Sequence, residues 1–137
     1  MRGQSRIHFK KESPARRRHI VKVLITLPVR LDVYDATSVR DVRQARFECL
    51  TRIVADLASR QAHRLVVEQD DSLIDADRRV LFRAVHAAGA ADRLAYVHMK
   101  ARSEPLLWIP DAAAWCWTRG GSWQELIAPN VQSVTRL

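Results

Sequence analysis

Apolar positions along the chain recur with three kinds of spacing. Ile20, Val23, Leu24 and Leu27 return at helical intervals, behind Ser13 and Pro14, which suit an N-cap and a first helical position. Pro28 ends that run, and the Val29–Asp35 segment then alternates apolar and polar residues, the pattern of a strand buried on one face. From Asp41 to Gln61, Val42, Ala45, Leu50, Ile53, Val54, Leu57 and Ala58 predict a long amphipathic helix. Leu65-Val66-Val67 is wholly apolar and breaks into acids at Glu68, as a strand covered on both faces does.

Ser72-x-x-Asp75 has the form of a capping box and predicts a helix from Leu73 to Ala88, ended near Gly89. Leu94 to His98 reads as a third strand. A last helix occupies the Trp-rich stretch up to Thr118, closed by Gly120-Gly121, and Trp123 to Ile127 adds one further turn. Beyond Pro129 no clear signal remains. Helices alternating with strands describe βαβ units, so the expectation is an α/β fold with a mainly parallel sheet and helices on its faces. The length of 137 residues suits one domain, placed at 1–128 with a tail at 129–137. Three strands make a small sheet for such a chain.

Composition narrows the class. A hydrophobic share of 47% is too high for a disordered chain, and four glycines with five prolines are too few for a collagen or linker. No apolar run is long enough to span a bilayer, and nothing apolar before Ile20 forms a secretory signal. Cys49 and Cys116 stand far apart, which fits a reduced protein, expected to be cytoplasmic. Charge is more informative. Residues 1–30 hold nine Lys/Arg against the single acid Glu12, whereas residues 31–137 hold fourteen of each sign. The basic N-terminal segment, 1–19, contains Lys10, Lys11, Arg16, Arg17 and Arg18, side chains able to follow a phosphate backbone. Glu68, Asp70, Asp71, Asp75 and Asp77 form an acidic knot of the kind that holds divalent cations. The plain alternatives are a solvated tail and a solvated loop.

In an open α/β sheet ligands gather at the carboxyl ends of strands, which brings forward Asp35, Glu68, Asp70 and Asp71. Asp71 and Asp75 are also explained as acids capping or opening a helix, and Asp77, beside Arg78 and Arg79, is expected to face water. Glu68 is the hardest to explain by structure alone, since a strand-end acid inside a sheet is costly without a partner. In Glu104–Trp117, Pro110 either kinks a helix already running or starts a new one; in the second case Asp111 falls in the first turn. Apolar neighbours surround Asp111, so a backbone cap, an arginine or a metal is expected to answer it. Trp115 and Trp117 point to nearly opposite helix faces, predicting one core and one rim tryptophan. His8, His19, His63, His86 and His98 show no zinc spacing. There is no phosphate loop or nucleophile elbow, and neither cysteine has an evident base, which weakens nucleotide-dependent transfer and acyl-enzyme chemistry.

The runs His8-Phe9-Lys10-Lys11-Glu12-Ser13, Arg16-Arg17-Arg18, Leu65-Val66-Val67-Glu68, Asp77-Arg78-Arg79 and Tyr96-x-His98 keep this order along the chain. With Glu104-Pro105-Leu106-Leu107-Trp108-Ile109-Pro110-Asp111-Ala112-x-Ala114-Trp115, they resemble an actinobacterial branch of a ribonuclease-H-like domain-of-unknown-function family, over residues 1–128. The resemblance implies a three-layer fold, a central sheet flanked by helices, and phosphodiester cleavage with carboxylate-held magnesium or manganese. Carried over, Glu68 is the acid after the fourth strand and Asp111 the acid on the closing helix. These two would be the catalytic pair, and Asp70 or Asp71 would assist with the metal. The family opens with an Asp-Glu-Ser strand that is not found before Arg2, so an N-terminally incomplete fold and a weak or inactive nuclease are expected.

Three readings follow. The first is a metal-dependent nuclease in which Glu68 and Asp111 converge. The second is a non-catalytic nucleic-acid-binding module using the basic segment. The third is an interaction subunit whose open sheet edge pairs with a second copy or a partner chain, away from membranes.

Overall fold

The computed structural model of the chain describes residues 9–137; His8, Arg2, Arg6 and the rest of the first eight positions of the basic segment lie outside the described residues. After a 3-10 turn at Phe9–Lys11 come α1 (Pro14–Thr26), β1 (Leu31–Asp35), α2 (Val42–Ser59), β2 (Arg64–Glu68), α3 (Ile74–Ala87) and β3 (Ala95–Met99). A second 3-10 turn, Pro105–Leu107, leads into α4 (Trp108–Arg119), followed by α5 (Gly121–Ile127), a third such turn at Ala128–Asn130, and β4 (Val131–Arg136). The fold is mixed α/β. It divides into two compact units, one comprising the chain up to Val33 with Ala101–Thr135, the other Tyr34–Lys100 with Arg136–Leu137.

Local chemistry explains the helix starts. The Ser13 side chain accepts a hydrogen bond from the Arg16 amide at 3.1 Å, and Pro14 follows it at the first position of α1. Asp41 accepts from the amides of Arg43 and Gln44 and so caps α2. The capping box expected at Ser72 does not form. Ser72 gives both its amide and its hydroxyl to the Asp70 carboxylate, at 2.9 and 2.7 Å, and Leu73 takes the N-cap position without a side-chain bond. An Asx turn competes for the same donors and wins. Pro110 neither kinks a running helix nor starts one. Because α4 begins at Trp108, Pro110 falls within the first turn, where an amide has no partner to lose.

The three predicted strands are present, but among the described residues they do not join one sheet. β2 and β3 form a parallel pair, with Val67 opposite His98 and Glu68 opposite Met99. β1 pairs instead with β4, drawn from the tail in which no signal was visible. Burial alternates along Val131–Arg136, but the half-buried face is Val131, Ser133 and Thr135 while Val134 is exposed, so hydropathy alone does not reveal it. In place of the single, mainly parallel sheet expected from the order of elements, and of the three-layer sheet that the resemblance implies, the described residues form two two-stranded sheets.

In the first unit the core gathers Phe9, Ile20, Val21, Leu24, Ala112, Cys116 and Ile127. Trp115 and Trp117 both pack against this one cluster, contrary to the expectation that their opposed directions separate them. Neighbours on both sides of α4 make this possible. Phe9 and Trp123 meet Trp115 edge-on, with centroids 5.2 and 5.0 Å away, while Trp117 lines a shallow cleft with Gln124 and Val131. Asn130 is buried, and its amide donates to the carbonyls of Val29 at 3.0 Å and Leu27 at 3.4 Å. In the second unit α2 and α3 enclose Leu50, Val54, Leu81, Ala84 and Val85, with Leu65, Val67 and Tyr96 packed against them.

Two predictions follow from these cores. Asn130→Ala takes a donor from the Val29 carbonyl, while the Leu27 carbonyl keeps the Val29 amide, and is expected to cost about 1–3 kcal/mol in urea unfolding. Burial pushes the Cys116 thiol up to about 11, against a lowering influence of Arg17. In the native protein at pH 8 a thiol reagent should therefore label half-buried Cys49 well before fully buried Cys116, and denaturant should make the two rates equal.

Candidate functional site

Three groups of side chains bear on function. The first is the acidic set. Glu68 ends β2 with its side chain exposed, and it lines a cleft together with Arg46, Val67, Gln69, Asp70 and Leu73. Asp70 is fully exposed, its carboxyl held below the usual range first by the Ser72 hydroxyl and then by the Ser72 amide. Asp71 meets Gln69 at 2.8 Å and Lys100 at 3.2 Å. Asp111 belongs to the other unit, exposed in the first turn of α4, where the partial positive charge of the helix end favours a carboxylate without any metal. No cap or arginine is needed to answer it. Among the described residues no three His, Cys, Asp or Glu side chains gather as cation ligands.

The second group corrects the sequence reading most sharply. Asp77 does not face water; it is 2% exposed and lies at the centre of a polar triad. Arg46 on α2 grips it with both arms, Nε to Oδ1 and Nη2 to Oδ2, each at 2.7 Å. His98, on β3 and 3% exposed, meets Oδ2 through Nε2 at 3.1 Å. Burial by itself pushes the Asp77 carboxyl up, but hydrogen bonds from Arg46 and His98 outweigh it and hold it below the ordinary value of 3.8. Three elements are pinned by one carboxylate. The signal in sequence was faint: Asp77 lies four residues before Leu81, the buried centre of α3, so helical spacing places it on the inward face despite the Arg78-Arg79 neighbours.

The third group is the basic surface of the first unit. α1 carries Arg16, Arg17, Arg18 and Lys22 with no acid, and its core face is Ile20, Val21 and Leu24. Two of these cations also hold structure. The Arg17 side chain donates to the carbonyls of Phe9 and Lys10, and its guanidinium lies 4.4 Å from the Trp115 ring centroid. Arg18 sits 5.4 Å from that of Trp123. Lys10, Lys11, Arg16 and Lys22 stay exposed, and among the described residues no ion pair engages α1. In sequence Arg17 and Arg18 are indistinguishable from the other cations of this segment, because cation–π partners about a hundred positions away leave no local trace.

Comparison of the chain with protein-family models, with curated proteins and with solved structures finds no match.

The triad generates a pH prediction. A carboxyl with a lowered folded value contributes stability that is complete above the unfolded value and disappears as pH falls through the folded one. Asp77→Asn should therefore cost about 2–4 kcal/mol at pH 7, because Arg46 loses its counter-charge and the bidentate bond that holds it. The gap between variant and parent should narrow steadily below pH 4, read by urea titration across pH 2–7.

Proposed function

We propose that the protein binds nucleic acid through the basic face of its first unit, without base-specific chemistry. The observation that carries this reading is α1 itself: a helix with four Lys/Arg and no acidic side chain, its apolar face buried and its cations outside. A solvated helix normally interleaves the two signs, because like charges three or four apart repel. Uncompensated cations on a rigid element suit a polyanion, and releasing its counterions drives association. Lys10 and Lys11 extend the same charge from the turn before α1, and Arg17 ties that turn to the helix. The cation–π contacts of Arg17 and Arg18 keep the helix seated on Trp115 and Trp123.

The ribonuclease-H-like, metal-dependent reading makes a different demand: Glu68 and Asp111 must share magnesium or manganese. It is supported by Glu68 and Asp70 lining one cleft at the carboxyl ends of parallel strands. On that reading an oligonucleotide is cut in magnesium and spared after Glu68→Ala. On the binding reading the oligonucleotide stays whole and Glu68→Ala leaves affinity unchanged.

The test is fluorescence anisotropy with a labelled duplex over a range of salt. The logarithm of affinity should fall linearly with the logarithm of salt concentration. Lys11→Gln/Arg16→Gln/Lys22→Gln should lower the steepness of that line by about two to three, at about 0.9 per lost phosphate contact. Salt-independent binding, or a triple variant with the parent's slope, rejects the reading.

A further inference from the structure

We propose that the cleft between α2 and the start of α3 binds a phosphate monoester carrying a flat aromatic body, of which a nucleoside monophosphate is the simplest example. The inference is independent of the α1 surface. The cleft encloses about 230 Å³ within the second unit. Arg43 and Arg46 line it from α2 and Arg79 from α3, so three arginines border one small space. Arg43, Arg46 and Phe47 are three and four positions apart and therefore share a helix face. Two carboxylates also contribute to the lining, Asp75 and Asp77. Asp77 is already matched by Arg46, so within this lining Arg43 and Arg79 stand against Asp75, while Asp70 of the adjoining cleft also acts on Arg46. The lining carries one positive charge in excess, three arginines against two aspartates, which favours a phosphate anion.

The buried triad gives this cleft its order. Asp77 fixes Arg46 through Nε and Nη2, so the planar guanidinium is held in place while its side chain remains 36% exposed at the cleft. A fixed fork loses little further freedom when it meets an anion, and fork geometry matches phosphate oxygens. Buried ion pairs add little net stability in general, so positioning a cation is the better account of why a carboxylate is kept here. Phe47 supplies the second recognition element: an aromatic ring of the same lining, left exposed by the fold, on which a base can stack. The volume falls below the roughly 300–1,000 Å³ of a site that swallows a whole ligand. It suits a phosphate with its sugar, the ring lying outside on Phe47.

Titration of the full-length protein with AMP, adenosine and inorganic phosphate, followed by backbone-amide NMR, tests this assignment. AMP should shift amides of α2 and the start of α3 and bind at least about tenfold more tightly than adenosine. Arg43→Gln/Arg79→Gln should weaken AMP about tenfold or more. Phe47→Leu, which keeps an apolar side chain and does not touch the charges, should weaken AMP and leave inorganic phosphate unchanged. Equal affinity for AMP and adenosine, an unchanged affinity in the double variant, or shifts confined to α1 would each overturn the proposal. So would the absence of any shift at 10 mM AMP (about 3 kcal/mol of binding at most).

Discussion

A carboxylate taken out of water must be answered by positive charge, and Asp77 is the place where this chain meets that requirement. Arg46 reaches it from α2 and His98 from β3, so one buried anion ties the two helices to the parallel strand pair. The apolar packing of Leu50, Val54, Leu81 and Val85 brings the elements together but sets no unique rotation of one helix against the other. A bidentate ion pair does. It also aims Arg46 at two adjoining clefts, one beside Phe47 and Arg79 and one beside Glu68 and Asp70. Structure and recognition thus share a side chain in the second unit.

The first unit reaches a comparable end by other means. Here cations stand outside and tryptophans within, and Arg17 and Arg18 are the join. Each covers an indole that would otherwise lie half in water, while Arg17 also satisfies two carbonyls of the preceding turn. A chain using arginine both as mortar and as charged surface cannot be divided into structural and binding residues by composition. Arg16 differs from Arg17 and Arg18 only in what lies beside it.

Acidic residues show the reverse lesson. Glu68, Asp70, Asp71, Asp75 and Asp77 stand in one short stretch and look alike as letters. Asp70 organises a turn through Ser72, Asp71 meets Gln69 and Lys100, Asp75 serves the first turn of α3, and Asp77 is buried in a triad. Asp111, apolar though its neighbours are, rests in an exposed first turn. Local electrostatics accounts for most of these acids without a shared ligand.

Among the described residues, the amino-acid order by itself determined the helices, three of the four strands and several of their ends, because caps, prolines and apolar spacing act over a few residues. Ser13-Pro14, Asp41 and Gly89 are such signals, the last with a positive φ of 65° that glycine adopts freely. It determined also that positive charge collects at one end. Tertiary structure alone decided that β1 pairs with β4 and not with β2, that Trp115 and Trp117 serve one core, and that Asp77 and His98 meet inside. Those outcomes depend on which surfaces touch across 20 to 100 positions, and the cost of an unpaired buried charge exists only once the chain has closed around it.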